Sequence, residues 1–416
     1  MLESKTLTAL VYLAAVAGVD VGNCTSKYQV VETLLLSGKN LELSQATRNR
    51  TMLESQSLLD LCLLAREIGV NIAHIDNKNQ LIRAILGSGH GVEPPLDAAT
   101  DRVALMESFN TMGGPSWDNK EGWGTSALID DWFGVAVDFK GRVVHLNLDG
   151  NNLTGAIPAQ LGALNKLTWL NLSGNQLSGP MPPELGNLSA LQVLNLRSNK
   201  LSGPIPKELG ALSALRELGL DSNQLSGNIP PQLGQLGALE FLNLGNNELD
   251  GTIPPKLGKL VALQVLGLYK NQLSGPIPPE LGALGELQAL ELSQNLLTGP
   301  IPSELGKLGA LQYLILKGNK LSGPIPSELG KLGALQYLIL KGNKLSGPIP
   351  PELGNLRQLE RLRLTSNQLT GPIPKELGAL TKLENLWLFN NQLSGSDMDV
   401  KRMLPNLEIF LEDPRV

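Results

Sequence analysis

One pattern constrains this chain of 416 residues more than any other. From Leu146 onward the motif Leu-x-Leu-x-x-Asn-x-Leu-x-Gly-x-Ile-Pro-x-x-Leu-Gly-x-Leu-x-x-Leu returns every 24 residues. Its clearest marker is an asparagine, found at Asn151, Asn175, Asn199, Asn223, Asn247, Asn271, Asn295, Asn319, Asn343, Asn367 and Asn391. A constant period over so many returns implies one supersecondary unit stacked on copies of itself, because a single unit cannot bury its own apolar face. The Leu-x-Leu residues read as a short strand with both leucines pointing into a core. The asparagine turns the chain inward, and its amide is placed to bond backbone groups of neighbouring turns that would otherwise be buried without partners. The Ile-Pro pair is expected on the outer side, where the missing N–H of proline is tolerable. The segment 299–326 recurs letter for letter as 323–350, the mark of a duplicated unit. One turn can therefore be inserted without disturbing its neighbours.

The half Leu-x-Gly-x-Ile-Pro-x-x-Leu-Gly-x-Leu resembles the plant-type leucine-rich repeats of receptor-kinase ectodomains and polygalacturonase-inhibiting proteins. The segment before the array is similar to the cap of that family, with Asp101-Arg102-x-Ala104-Leu105, Gly113-Gly114-Pro115-Ser116-Trp117 and Trp132-Phe133-Gly134-Val135. Its variant resembles repeats of algal and other protist proteins, including those joined to ROCO GTPase modules. The resemblance covers about 101–416. It implies an α/β repeat solenoid, a right-handed leucine-rich-repeat superhelix with a parallel concave β-sheet, and for function it implies ligand recognition. The secreted plant caps carry a cysteine pair, whereas 101–143 has no cysteine. That departure favours a cytoplasmic setting, with a secreted or cell-surface one as the alternative.

The organisation expected is a cap over 101–145, eleven repeats over 146–395 and a C-terminal cap with a degenerate turn over 396–416. In that last turn Leu404 and Leu407 keep the phase, and Phe410 takes the place of a strand leucine. Three of the five tryptophans, Trp117, Trp123 and Trp132, lie in the first cap, where bulky rings can cover an exposed end of the core.

Ahead of the cap, Met1-Leu2-Glu3-Ser4 recurs as Met52-Leu53-Glu54-Ser55, and the match runs on without a gap. Residues 1–38 and 52–89 thus read as two copies of a helical module, and 90–100, with Pro94-Pro95, as a linker. A small all-helical region therefore precedes the solenoid. Its apolar stretch Leu7–Val19 looks like a secretory leader, but a second copy deep in the chain argues for a folded helix. The modules resemble helix-extended-loop-helix domains of the SAP and Rho-N type, which often bind nucleic acid. Eight Lys/Arg against nine Asp/Glu over 1–95 gives no basic stripe to support that use.

The net charge of −5 gives no general pull towards nucleic acid or anionic lipid, and no apolar run is long enough for a membrane span. Cys24 and Cys62 form no metal-type pair, and His74, His90 and His145 lie in separate segments. No catalytic constellation emerges, so the expectation is a protein without enzymatic activity, metal or cofactor. Asn-x-Ser/Thr triplets occur at Asn23, Asn49, Asn152, Asn171 and Asn187, several of them a by-product of the repeat wording.

Strand residues between and beside the leucines point out of the concave face. In the first turns they are rich in Asn, Ser and Asp. In turns eight to eleven they become Tyr313, Ile315, Lys317, Tyr337, Ile339, Lys341, Arg361, Arg363, Trp387 and Phe389. Aromatic groups beside Arg and Lys are what binding hot spots use. The expected partner is a protein or peptide that presents acidic and apolar groups together.

Overall fold

The computed structural model describes residues 96–138, 140–394 and 408–410. The two helical modules expected over 1–38 and 52–89 lie outside them, as do His74, His90, Asn23, Asn49 and most of the segment 396–416.

The first element is the helix α1, Leu96–Thr111. It starts inside the segment 90–100 read as a linker. The reason is that prolines ahead of a helix do not oppose it, since the first N–H groups of any helix lack intrahelical partners. Contacts divide the chain into two compact units. One takes in the residues up to Val103, Leu128–Asp130 and Ala136–Val143. Its described part is pinned by Asp101, whose carboxylate accepts from Arg142 Nε at 2.9 Å, Arg142 Nη2 at 3.0 Å and the Val143 N–H at 2.8 Å. Both side chains are buried, so the forked pairing and the extra backbone donor offset the desolvation of the two charges.

The other unit begins with an aromatic cluster. Phe109 meets the edge of Trp117 at 5.2 Å and stacks on Trp123 at 6.1 Å, and Trp123 contacts Trp132 at 4.8 Å. The three tryptophans are buried, and the indoles of Trp117 and Trp123 donate to the carbonyls of Met112 and Phe133. The cap joins the first turn through backbone: Asn147 N–H donates to Gly134 O at 2.7 Å, and Thr154 N–H to Met112 O at 3.0 Å. A side chain at Gly134 would lie 2.0 Å from Asn147 O, so only glycine lets the two segments meet.

Each of the first ten turns of the solenoid then repeats one course: strand, inward bend, a second short extended segment, a five-residue 3-10 helix. The strands run parallel, each paired with its equivalent one repeat on, as in Phe241↔Val265, Val265↔Ala289 and Ala289↔Tyr313. In a turn such as the fifth, Leu242, Leu244, Leu249, Ile253, Leu257, Leu260 and Leu263 are all buried. The isoleucine of the Ile-Pro pair is thus core, which corrects the expectation of an outer pair. The proline beside it, Pro254, is buried as well, and it caps the 3-10 helix from an extended conformation. The glycine of Leu-Gly fixes how closely turns stack: a Cβ at Gly258 would be 2.3 Å from Glu280 O of the next turn.

Each ladder asparagine bonds to backbone on both sides. Asn271 Oδ1 accepts from Leu249 N–H at 3.0 Å, while its Nδ2 donates to Leu244 O at 3.0 Å and Leu268 O at 3.2 Å. The ladder starts at Asn151, which exchanges bonds with the backbone of Asn119 in the cap. Eight of the asparagines are buried, but Asn223, Asn247 and Asn391 are half-buried. The residue before each asparagine takes a left-handed conformation, even where it is not glycine, as at Lys270 with φ 50° and Gln294 with φ 54°.

The last described strand, Glu408–Phe410, pairs Ile409 with Leu386 and Phe410 with Trp387. This corrects the expected register. The final turn is one residue shorter, so Ile409 and not Phe410 takes the strand-leucine position, and the period-2 alternation shifts with it.

Candidate functional site

Strand pairing in register turns the duplicated letters into neighbours in space. Tyr313 lies opposite Tyr337, and Ile315 opposite Ile339. Tyr337 is in turn opposite Arg361, Ile339 opposite Arg363, and Arg363 opposite Trp387. Side chains two residues apart on a strand share a face, so Arg361 and Arg363 rise from the same side of one strand.

These residues, Tyr313 excepted, line a groove of about 560 Å³. Ile315 and Ile339 line it, with Tyr337 and Arg361, with Arg363 and Trp387, and with Lys317 and Lys341. Gln294, Gly318 and Gly342 complete the lining, which contains no carboxylate.

The aromatic rings hold the cations. The Arg363 guanidinium lies 4.0 Å from the Trp387 ring centroid, and Arg361 lies 4.7 Å from that of Tyr337. Arg363 Nη2 also donates to Asn385 Oδ1 at 3.1 Å. Tyr337 meets Tyr313 edge-on at 5.0 Å, and the Tyr313 hydroxyl bonds Gln336. Such stacking fixes a guanidinium plane without neutralising it. Arg361 Nε and Arg363 Nε are buried with no hydrogen-bond partner. Burial, and next the charge of Arg361, lower the pKa of Arg363 from its ordinary value. The site therefore presents cations held at a cost and offers them no counter-charge of its own.

Not every expected residue reaches solvent. Ile339 is 7% exposed and Phe389 is 5% exposed, so both are covered and neither is an open contact surface. Ile339 lies on the groove floor with Ile315 and Arg363 as its neighbours in the strand pairing on either side. Phe389, whose ring lies 6.4 Å from Trp387, is taken up in the packing of the final turns. Reading the sequence position by position missed Asn385 as a partner of Arg363. Asn385 lies directly across from Arg361 in the strand pairing, and Arg363 reaches it diagonally. Thr365 is fully buried with an unbonded hydroxyl, a feature for which the packing gives no account.

At the other end of the sheet His145 stacks on Trp169 at 5.4 Å. Among the described residues no group of three or more His, Cys, Asp or Glu is placed to hold a metal ion. Among them, too, no helix is long and apolar enough to cross a membrane.

Two family models match the array. "Leucine Rich Repeat" matches 142–164, 166–188, 190–212, 214–236, 238–260, 262–284 and 286–308, and "Leucine-rich repeat region" matches 302–409. The chain is a plant-type leucine-rich-repeat protein. Solved structures of similar leucine-rich-repeat chains include the plant peptide hormone receptor RGFR1 in complex with RGF2, 38% identical with a TM-score of 0.56 over 64% of this chain and 46% of that one. The PEPR1–AtPEP1 complex is 33% identical with a TM-score of 0.59, covering 75% and 51%. A plant ice-binding protein is 29% identical with a TM-score of 0.56, covering 71% and 88%. The leucine-rich-repeat chain thus spans about half the length of the two receptors, 46% and 51%. No curated protein sequence matches it.

Proposed function

We propose that this leucine-rich-repeat protein is a non-catalytic receptor for a peptide or protein segment that carries acidic and apolar groups side by side. The groove of turns eight to eleven is the binding surface. The observation that carries this reading is the pair of stacked guanidiniums, each with a buried and unbonded Nε, in a groove without a carboxylate. An anionic group on the ligand supplies the counter-charge that the groove lacks, and its apolar group covers Ile315 and the exposed edges of Tyr337 and Trp387. Charge-assisted bonds to a pre-fixed guanidinium are among the stronger polar contacts, because little side-chain freedom is lost on binding. Support of a different kind comes from RGFR1, a peptide hormone receptor in its complex with RGF2. That likeness favours a secreted or cell-surface location over the cytoplasmic one expected from the cysteine-free cap.

The test is calorimetric titration of the full chain with a panel of synthetic peptides that vary in acidic and aromatic content. Peptides with both groups should bind, and those with acids replaced by amides should not. Changing Tyr337 and Arg363 together to Ala should weaken binding by roughly 2 kcal/mol or more if both are hot spots. Circular dichroism should stay unchanged. Normal binding by that double variant, with loss on changing Trp169 or the outer face, would place the ligand elsewhere.

A further inference from the structure

We infer that Asn187 is an acceptor of an asparagine-linked oligosaccharide on the outer side of the second turn. The inference rests on the secreted or cell-surface reading above. Its structural basis is a turn that every repeat shares. The 3-10 helix Pro183–Asn187 ends at Leu188, with φ −77° and ψ 63°, and Ser189 N–H donates to Asn187 O at 2.8 Å. A bond from residue i+2 to residue i about a centre of that conformation is an inverse γ-turn. It buries the middle residue, Leu188, and leaves Asn187 and Ser189 exposed on either side. The same turn recurs at Ala163–Asn165, Ala211–Ser213 and Asn355–Arg357, but only the second turn fills the flanking places with an asparagine and a hydroxyl.

The other two triplets within the described residues are already engaged. Asn152 Nδ2, the atom that would have to react, donates to Ser116 O at 3.1 Å, and Asn152 Oδ1 accepts from Gln176. Asn171 stands half-buried in a strand, with its Oδ1 accepting from Ser173 N–H at 3.1 Å and Ser173 Oγ at 2.6 Å. Ser173 itself is buried at 2% exposure. Asn187 makes no side-chain bond that would have to break.

In the transfer, Asn187 Nδ2 attacks the anomeric carbon of a lipid-linked oligosaccharide pyrophosphate. The new C–N bond forms as the carbon–oxygen bond to pyrophosphate breaks, the amide gives up one proton, and the lipid pyrophosphate leaves. A glycan at Asn187 projects from the helix side of the turn and leaves the strand face bare for its ligand.

The test is expression of the full chain, with its own N-terminus, in cultured plant cells. Secretory and cytosolic fractions are separated, and peptide maps are recorded before and after enzymatic deglycosylation in heavy-oxygen water. The expected result is chain in the secretory fraction, with Asn187 converted to isotopically marked Asp and Asn152 and Asn171 unchanged. Asn187→Gln and Ser189→Ala should each remove that glycan while the melting curve stays the same. Secreted chain with Asn187 bare overturns this inference and leaves the surface reading in place. Chain confined to the cytosol and unmodified overturns both.

Discussion

Replacing Asn271 by Ala removes one rung of the asparagine ladder, and the hydrogen bonds say how much that should cost. The carbonyls lose little. Leu244 O also accepts from Asn247 Nδ2 at 3.1 Å, and Leu268 O also accepts from Asn295 Nδ2 at 2.9 Å, so each keeps a donor. The Leu249 N–H is different, for its bond to Asn271 Oδ1 is its contact with the ladder, and Leu249 is fully buried. One orphaned, buried N–H costs about 1–3 kcal/mol, and the expected loss is about 2 kcal/mol. Because a long repeat array need not unfold in one step, urea melting should be paired with hydrogen exchange at the Leu249 amide. The amide should lose protection while amides three or more turns away keep theirs. Unchanged melting with Leu249 still protected would refute the ladder. A loss above about 4 kcal/mol would show that the carbonyls do not share donors as argued.

Three further outcomes are expected. Lys270→Gly should stabilise the array by about 0.5–1 kcal/mol in urea melting, because a left-handed non-glycine residue costs about 1–2 kcal/mol and glycine returns part of that as chain entropy; a loss of stability would mean the lysine stem packs against its neighbours. Asp101→Ala should cost about 3–5 kcal/mol, since it removes the carboxylate that forks onto the buried Arg142 guanidinium and the Val143 N–H, and differential scanning calorimetry would register it as a lower melting temperature. Burial lowers the pKa of His145 below its ordinary 6.5, so the unfolded chain binds the proton first and stability falls as the pH drops through 6.5 towards the lower folded value. His145→Asn should flatten that slope in melts taken between about pH 8 and about pH 5.5, while a slope equal to that of the parent would assign it to other groups.

The period, the strand leucines and the asparagine ladder were legible because each is written once per turn and has one physical use. A buried amide that bonds two turns leaves no substitute, so the letter recurs. The inward isoleucine was harder to read, since a proline beside it directs attention to the surface. At the candidate site the residue types and their alignment in columns followed from the spacing alone. The covering of Ile339 did not, because it depends on how far the side chains around it lean, and letter spacing carries no information on that. Nor did the contact between Arg363 and Asn385, which lie 22 positions apart and meet through a side chain reaching across to the next strand. The pairing of Ile409 with Leu386 was hidden by one missing residue in the last turn, which an eye trained on the constant period carries past.

That one-residue difference bears on how such a gene can change. The close approach of Gly258 to Glu280 O recurs along the array, so each turn meets the next through the same backbone surface. Gain or loss of a whole turn leaves every such junction intact, as the copy of 299–326 at 323–350 attests. Loss of a single codon inside a strand does the opposite: it exchanges inward for outward side chains until the next bend restores the phase. Lengthening by whole turns is thus a mutational route that is nearly silent to the core and loud at the surface. Each such event adds a column about 4.8 Å wide to the face that meets the ligand. In a lineage of these genes, insertions should cluster at multiples of one turn, and recognition should shift in discrete steps of that width.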